Sequence, residues 1–191
     1  MEERYREVLN VYRNPTKTKI ITLLINNKKM TVTGMAKYIK TTRSNLYQIM
    51  SELVSIGMVN DPEIRPKKNY VEKYYSLNED YFAFHDEKID DEIMGLPDDQ
   101  YRDTLASFLM AQSLNLGIMA SAVENMPVKD IRGIREDHNL NIMSFGTVSR
   151  QGASSISGAL NEELKKTIDD SGDDRVFLFL MLPTRLIAGK K

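Results

Sequence analysis

Five polar side chains follow Thr42 within about two turns of a segment that has helical periodicity: Arg43, Ser44, Asn45, Tyr47 and Gln48. Asparagine and glutamine amides pair with adenine through two hydrogen bonds, arginine pairs similarly with guanine, and hydroxyl groups suit phosphates. No acid lies among these five residues. The segment therefore predicts recognition of base edges in a DNA groove, and the alternative is an ordinary solvated helix face.

Apolar spacing predicts the helices that must position this segment. A helix over residues 42–57 is capped by Thr42 and stopped by Gly57. Its inward side chains are Leu46, Ile49, Met50 and Leu53. A helix capped by Thr31 precedes it, with Val32, Met35, Ala36 and Ile39 inward. Two more helices are predicted upstream, at about 3–13 and 16–26. The second is nearly all apolar from Ile20 to Ile25 and is expected to be buried.

A basic hairpin is predicted directly after the 42–57 helix. Strands are predicted at 58–59 and 70–77, and the segment 61–69 between them, with two prolines, is predicted to be a loop. Phosphate contacts add affinity and salt dependence without base preference. Such contacts are assigned to the two capping threonines and four basic residues: Thr31, Thr42, Arg65, Lys67, Lys68 and Lys73.

Charge is divided unequally along a chain whose net charge is −1. Residues 17–73 contain eleven Lys or Arg and four Asp or Glu, whereas residues 81–191 contain twelve and eighteen. The first half suits a polyanion and the second does not, as expected for a DNA-binding head joined to a different body. The absence of cysteine excludes disulfides, thiolate nucleophiles and cysteine metal sites.

Residues 14–77 resemble the winged helix-turn-helix domain of the ArsR-type transcriptional regulators. The matching segments are Asn14-Pro15-Thr16, Thr31-Val32 with Met35-Ala36, Ser44 to Gln48, Leu53 with Gly57-Met58-Val59, and Tyr74 to Leu77. The resemblance implies a sequence-specific regulator that binds double-stranded DNA as a homodimer, with repression the expected sign. The metal sensors of that family use Cys and His clusters, whereas this chain has no Cys and two His, His85 and His138, so no metal or cofactor is expected. No convincing catalytic constellation is present in the sequence either, so no catalytic residue is expected.

The second half predicts a body for dimerisation. An acidic connector over 81–97 leads to a long helix from Asp98 to about Asn125. The stripe along this helix is assigned to dimer contacts: Leu105, Phe108, Leu109, Gln112, Leu116, Met119 and Val123. A strand at 141–147, a helix at about 155–170 and a strand at 175–182 follow, similar to the dimerisation and sensing region of larger family members.

These elements predict an α+β, mostly helical fold with three parts. Residues 1–80 form the winged helix-turn-helix DNA-binding domain, 81–97 the acidic connector, and 98–191 the dimerisation domain with a possible effector site. The longest uninterrupted apolar run, Val176 to Pro183, is short, and the N-terminus has no secretion signal. A cytoplasmic protein without membrane contact is therefore expected.

Several alternatives stay open at this point. The DNA-binding fold can instead serve protein contacts or chromatin and general transcription architecture without operator specificity. An unidentified small-molecule effector has two candidate positions: an apolar pocket lined by Met110, Met119 and Met126, or an anion site at Arg132, Arg135 and His138. His85-Asp86-Glu87 is either an acid/base set or a solvated part of the linker.

Overall fold

The computed structural model describes residues 2–82, 92–136 and 148–167. These residues are mostly helical with one small antiparallel sheet, so the predicted α+β class is confirmed. Their helices include α1 (Glu2–Tyr12), α2 (Pro15–Asn27), α3 (Val32–Met35), α4 (Arg43–Ser55), α5 (Glu79–Phe82), α6 (Asp98–Glu124), α7 (Val128–Glu136) and α8 (Arg150–Thr167). The strands are β1 (Lys29–Thr31), β2 (Glu63–Lys67) and β3 (Tyr70–Ser76).

Two compact units divide the chain, residues 1–131 and residues 132–191. Helix α6 therefore packs with the N-terminal elements, although its sequence resembles part of a separate dimerisation body. The functional boundaries at residues 80 and 97 stay predictions.

Helix α2 is the centre of the first unit. The Asn14 side chain caps it by accepting hydrogen bonds from the backbone N–H groups of Thr16 and Lys17 at 3.0 and 3.1 Å, and Pro15 occupies its first turn. Its fully buried side chains include Ile20, Leu23 and Leu24. The prediction that Ile25 is also inward is wrong, because it falls on the outer side of the helix and is 61% exposed.

Helix α3 is shorter than predicted. The Thr31 hydroxyl accepts a hydrogen bond from Gly34 N–H at 3.0 Å, which confirms the cap. Regular helix ends at Met35, because the Lys37 N–H bonds three residues back to Gly34 and tightens the next turn. Ile39 is nevertheless buried beyond the helix, so the apolar spacing correctly identified an inward side chain.

The predicted loop over 61–69 is wrong. Residues Glu63–Lys67 form β2, which pairs antiparallel with β3, and only Lys68 and Asn69 make the turn. β2 lies at the edge of the sheet, whose order is β1-β3-β2, and an edge strand can contain a proline such as Pro66 because one side makes no ladder bonds. Strand β1 was not predicted, and of the predicted strand 58–59 only the bridge from Val59 to Leu77 is present.

Helix α6 confirms the predicted long helix and packs against α2. Its inward side chains are spaced three and four residues apart: Thr104, Ser107, Ala111, Leu114 and Ile118. The first three are small, which lets two helices approach closely. The Asn26 amide of α2 also donates a hydrogen bond to the Asn115 side chain. The predicted stripe is on the other side of α6.

By length and composition α6 could also cross a membrane, and it is the one helix of the described residues that could. Its most apolar 18-residue window has a mean hydropathy of 1.3, and 11% of that window is buried in the protein. Helix α6 contains no long uninterrupted apolar run, because Gln112, Ser113 and Asn115 break its apolar sequence. Since core helices of soluble proteins pass the same test, the expected lack of membrane contact stays a prediction.

The C-terminal helices differ from the prediction at their boundaries. Helix α7 was not predicted, and it begins just after Pro127, whose carbonyl accepts the Ile131 N–H. Helix α8 corresponds to the predicted 155–170 helix but begins earlier, at Arg150. The strands predicted at 141–147 and 175–182 lie outside the described residues, as does the whole set His85-Asp86-Glu87.

Substitutions on opposite sides of α4 test this packing. Leu46 is fully buried, so we expect Leu46→Ala to reduce the free energy of unfolding by about 2–5 kcal/mol through lost burial and a residual cavity. Gln48 is exposed, and Gln48→Ala should change that free energy by less than about 0.5 kcal/mol. Urea unfolding followed by circular dichroism measures both. Equal losses would mean that α4 is oriented differently.

Candidate nucleic-acid interface

Helix α4 has one buried and one polar side. The Thr42 hydroxyl accepts a hydrogen bond from Asn45 N–H at 3.2 Å, which confirms the predicted cap. Leu46, Ile49, Met50 and Leu53 are all buried. The five proposed base-reading side chains are all exposed: Arg43, Ser44, Asn45, Tyr47 and Gln48. The first turn contains no acid, and the partial positive charge of the helix N-terminus adds to that of Arg43.

Asn45 is oriented by a residue that the sequence did not single out. Its Nδ2 donates a hydrogen bond to the Thr41 hydroxyl at 2.9 Å. An amide nitrogen carries two N–H groups, so the second N–H and the oxygen Oδ1 remain for another partner. Thr41 lies just before the helix cap, where threonine hydroxyls commonly bond to nearby groups, and this was the signal available for the pair.

An ion pair neutralises the acid on the exposed side of α4. Lys17 of α2 donates to the Glu52 carboxylate, which is otherwise partly open to solvent. Glu52 lies beyond the first two turns of α4, so its carboxylate is farther from the proposed DNA contact than Arg43 to Gln48 are. The contact with Lys17 offsets the negative charge of Glu52. It also links the beginning of α2 to the last turn of α4.

Two acids compensate the basic residues of the β2–β3 hairpin. Glu63 accepts from Arg65 Nε at 2.7 Å and from Lys29 Nζ at 2.8 Å. Glu72 lies 3.9 Å from Lys67 Nζ and accepts from the Tyr74 hydroxyl at 2.9 Å. The basic residues of this hairpin were predicted from the sequence to be available for phosphate contacts. The register places acids opposite and beside the bases, so much of that charge is already paired.

The same contacts change the ionisation of the hairpin groups. The hydrogen bond from Arg65, followed by that from Lys29, lowers the pKa of Glu63 to about 2. The hydrogen bond to the Glu72 carboxylate raises the pKa of Tyr74. Glu63 is therefore anionic at any physiological pH, and a phosphate must compete with it for Arg65 and Lys29.

Arg65 is also held by an aromatic ring. Its guanidinium carbon lies 4.6 Å from the centre of the Tyr74 ring, within the range of a cation–π contact. Lys68 and Lys73, by contrast, are exposed and make no ion pair with a described residue. Of the four basic hairpin residues predicted to contact phosphate, these two lysines have the least competition from neighbouring acids.

Helix α4 and the hairpin meet through two tyrosines. Burial raises the pKa of Tyr75 on β3, and the nearby phenol of Tyr47 on α4 raises that pKa further. Tyr75 is buried in the core, whereas Tyr47 is 48% exposed. Leu46 of α4 and Tyr75 of β3 also belong to the same buried cluster, so the helix and the hairpin share one core.

The predicted dimerisation stripe on α6 is partly exposed among the residues that the structure describes. Phe108, Leu116 and Val123 are 44%, 50% and 51% exposed. Half-buried members of the stripe are Leu105, Leu109, Gln112 and Met119. Their role in dimerisation stays a prediction.

The structure describes most, but not all, of the residues at the two expected effector positions. Arg132 and Arg135 are exposed on α7, while His138 lies outside the described residues. Met110 is exposed, whereas Met119 and Met126 are half-buried. Among the described residues, no group of three or more His, Cys, Asp or Glu side chains could hold a metal ion.

The chain matches no model of a known protein family, and no curated protein shows significant similarity to it. Its functional interpretation therefore depends on its own residues and their geometry.

A carboxyl titration tests the hairpin contacts. Because the folded pKa of Glu63 lies below its ordinary value of about 4.3, the contribution of these contacts to stability is fully present above that value. It is lost as the pH falls through about 2. Arg65→Gln should raise the pKa of Glu63 most, and Lys29→Gln less. Carbon-detected NMR of the Glu63 carboxyl measures both.

A matched control for this titration is Arg102→Gln, which removes an exposed arginine whose one ion pair with a described residue is that with Asp103. It should leave the Glu63 titration unchanged. A Glu63 midpoint near 4 in the unmodified protein would contradict the hairpin geometry.

Proposed function

We propose that this chain is a sequence-specific, DNA-binding transcriptional regulator of the winged helix-turn-helix kind, similar to the ArsR-type regulators. The observation that carries the proposal is the exposed, acid-free polar face of α4, from Arg43 to Gln48, held on a buried apolar side. Helix α4 would enter the major groove, with its N-terminal residues at the base edges. The order of elements from α2 through α4 to the hairpin supports the same assignment.

The neighbouring contacts suit this role. Thr41 restrains the Asn45 amide, which reduces the entropy lost when that amide binds a base. Lys17 offsets Glu52, so the remaining charge on this side of α4 is that of Arg43. In the hairpin, Lys68 and Lys73 are the first candidates for phosphate contact, and Arg65 and Lys67 would exchange an intramolecular acid for phosphate.

Selection of bound sequences from a random duplex pool is the direct experiment. A salt concentration of about 150 mM suppresses purely electrostatic binding. An enriched motif supports the proposal, and a palindrome with half-sites about 10 bp apart, or a multiple of that spacing, supports a two-fold dimer. Binding without enrichment would favour an architectural role. No binding by folded protein, with or without added small molecules, would overturn the proposal.

Two classes of substitution separate base reading from phosphate binding. Asn45→Ala or Gln48→Ala should cost about 1–3 kcal/mol of binding free energy on the selected site and relax preference at one base position. Lys68→Ala should weaken binding to all sequences alike and reduce the salt slope by about one unit. Fluorescence anisotropy with selected and scrambled duplexes at several salt concentrations measures both effects. Identical behaviour of the two classes would contradict the assignment of α4 as the reading helix.

The exposed apolar residues of the stripe, Phe108, Leu116 and Val123, support the proposed homodimer. A large exposed apolar surface on a soluble protein marks a contact with a partner, and a second copy presents the same stripe. Since the other side of α6 packs on α2, pairing through the stripe would place two copies of α4 on one assembly. A lipid surface is the competing occupant, given the length and composition of the helix.

Adjacent substitutions on α6 distinguish these occupants. Leu116→Glu puts a carboxylate in the stripe and should shift the protein from dimer to monomer in light scattering coupled to size-exclusion chromatography. Gly117→Glu adds the same group one position along, where an added Cβ would meet nothing within 4 Å, and should leave the dimer intact. A protein that is monomeric before substitution, or that partitions into lipid vesicles through this stripe, would contradict the dimer assignment.

A second function is favoured by one feature of the hairpin. Ile64, Tyr70 and Val71 are 60%, 62% and 58% exposed. Exposed apolar groups suit a protein partner better than a phosphate backbone, so the hairpin could serve protein contacts in an architectural or general transcription role. The pool selection separates the two functions, because a pure protein-contact module yields no enriched sequence.

A further inference from the structure

A cleft of about 460 Å³ opens between α1 and the segment that leads into α6. Four lining residues follow the helical spacing of α1 and its last turn: Arg6, Leu9, Asn10 and Arg13. The opposite wall consists of Glu92, Leu96 and Gln100, each four residues from the next. All seven residues belong to the first compact unit. The volume is in the range of small-molecule sites.

Arg13 has an unusual environment in this cleft. Its Nε is buried and has no hydrogen-bond partner among the described residues. The backbone is fixed there, because Arg13 N–H donates to the Leu9 carbonyl at 3.0 Å. A buried N–H group on a cation is unfavourable without an acceptor. Because Arg13 also lines the cleft, a small reorientation of its side chain would bring this unpaired donor to an acceptor bound there.

Arg6 adds a second positive charge on the same side of α1, about two helical turns from Arg13. Neither guanidinium forms an ion pair with any carboxylate that the structure describes. Glu92 lines the opposite wall without reaching either of them. The charges of the lining residues consequently sum to +1, which favours one negative charge and disfavours polyphosphates.

The remaining lining residues define the body of a ligand. Leu9 and Leu96 provide apolar surface on opposite walls, and the Asn10 and Gln100 amides provide neutral hydrogen-bond groups. A guanidinium Nε and its neighbouring Nη form a fork that fits the two oxygens of a carboxylate. We propose that this cleft binds a small organic monoanion, a carboxylate carried on an apolar body, with Arg13 as its principal contact and Arg6 at the rim.

The location of the cleft gives such a ligand a route to the rest of the first unit. Helix α1 continues through the Asn14 cap into α2, and α2 contacts both α6 and, through Lys17, the outer side of α4. A ligand between α1 and the start of α6 would stabilise one relative arrangement of these helices. The role of this ligand as an effector of DNA binding rests on the proposed function. The binding of the ligand to the cleft is independent of that function.

Binding is tested without DNA. The full chain, labelled with ¹⁵N, is titrated with isocaproate, with the neutral isostere isocaproamide, and with inorganic phosphate at about 50 mM salt, where charge attraction is little screened. We expect isocaproate to shift the Arg13 Nε–H resonance and to bind at least about tenfold more tightly than the amide or phosphate. Equal binding of the amide would overturn the carboxylate assignment, and no binding of isocaproate would overturn the site.

Matched variants locate the contact. Arg13→Gln should weaken isocaproate binding by about tenfold or more, and Arg13→Lys by less, because lysine keeps the charge but loses the fork. Arg6→Gln changes an exposed residue and tests the site even if Arg13→Gln fails to fold. Arg102→Gln, an exposed arginine outside the cleft, should leave affinity unchanged. Equal losses in Arg6→Gln and Arg102→Gln would indicate non-specific attraction and overturn the proposal.

The two proposals fail separately. If isocaproate binds at Arg13 but the pool selection yields no enriched sequence, the proposed ligand site is supported and the proposed regulatory role is contradicted. If an operator is selected but isocaproate does not bind, the proposed DNA-binding function is supported and the proposed ligand site is contradicted. Where both succeed, a shift in operator affinity on adding isocaproate, lost in Arg13→Gln, identifies the cleft as the effector site.

Discussion

Burial of one side of α4 against the core is the constraint on which the candidate interface depends. Leu46, Met50 and Leu53 are fully buried in the same cluster as Ile20 and Leu23 of α2. A helix with one strongly apolar side has a single rotation that hides it. That rotation exposes the polar residues from Arg43 to Gln48 and fixes their direction. The rigidity of a close-packed core also means that these side chains share one frame.

Ion pairs in the folded protein, more than the number of basic residues in the sequence, decide which positive charges are available to a ligand. The segment 17–73 has a net charge of +7, yet Lys17, Lys29, Arg65 and Lys67 each pair with an acid in the fold. Exposed ion pairs of this kind contribute little to stability. Their effect is to hold long side chains in place and to set which cations are available. Arg43 at the helix tip, Lys68 in the hairpin turn and Lys73 on β3 stay available.

Helix α6 serves two surfaces at once. Small residues on one side allow close packing on α2, while the other side has exposed apolar residues such as Phe108 and Leu116. Its N-terminal end forms one wall of the cleft that contains Arg13. A helix that contacts the core, a prospective partner and a prospective ligand site is well placed to couple them, since all three contacts change if the helix shifts.

The sequence by itself determined the features that depend on local chemistry. Helical apolar spacing identified α1, α2, α4 and α6, and short-range hydrogen bonding identified the caps at Thr31 and Thr42 and the stop at Gly57, whose φ of 78° favours glycine. It also identified the exposed face from Arg43 to Gln48, because an amphipathic helix hides its apolar side wherever it packs.

Tertiary structure alone decided what depends on distant partners. Strand β1 exists because Lys29 to Thr31 pair with Tyr74 to Ser76, more than forty residues away. The ion pairs of Glu52 and Glu63, and the cleft between α1 and residues 92–100, also join segments that are remote in the chain. No local pattern encodes such contacts, because their free energy comes from two surfaces that only the folded core brings together.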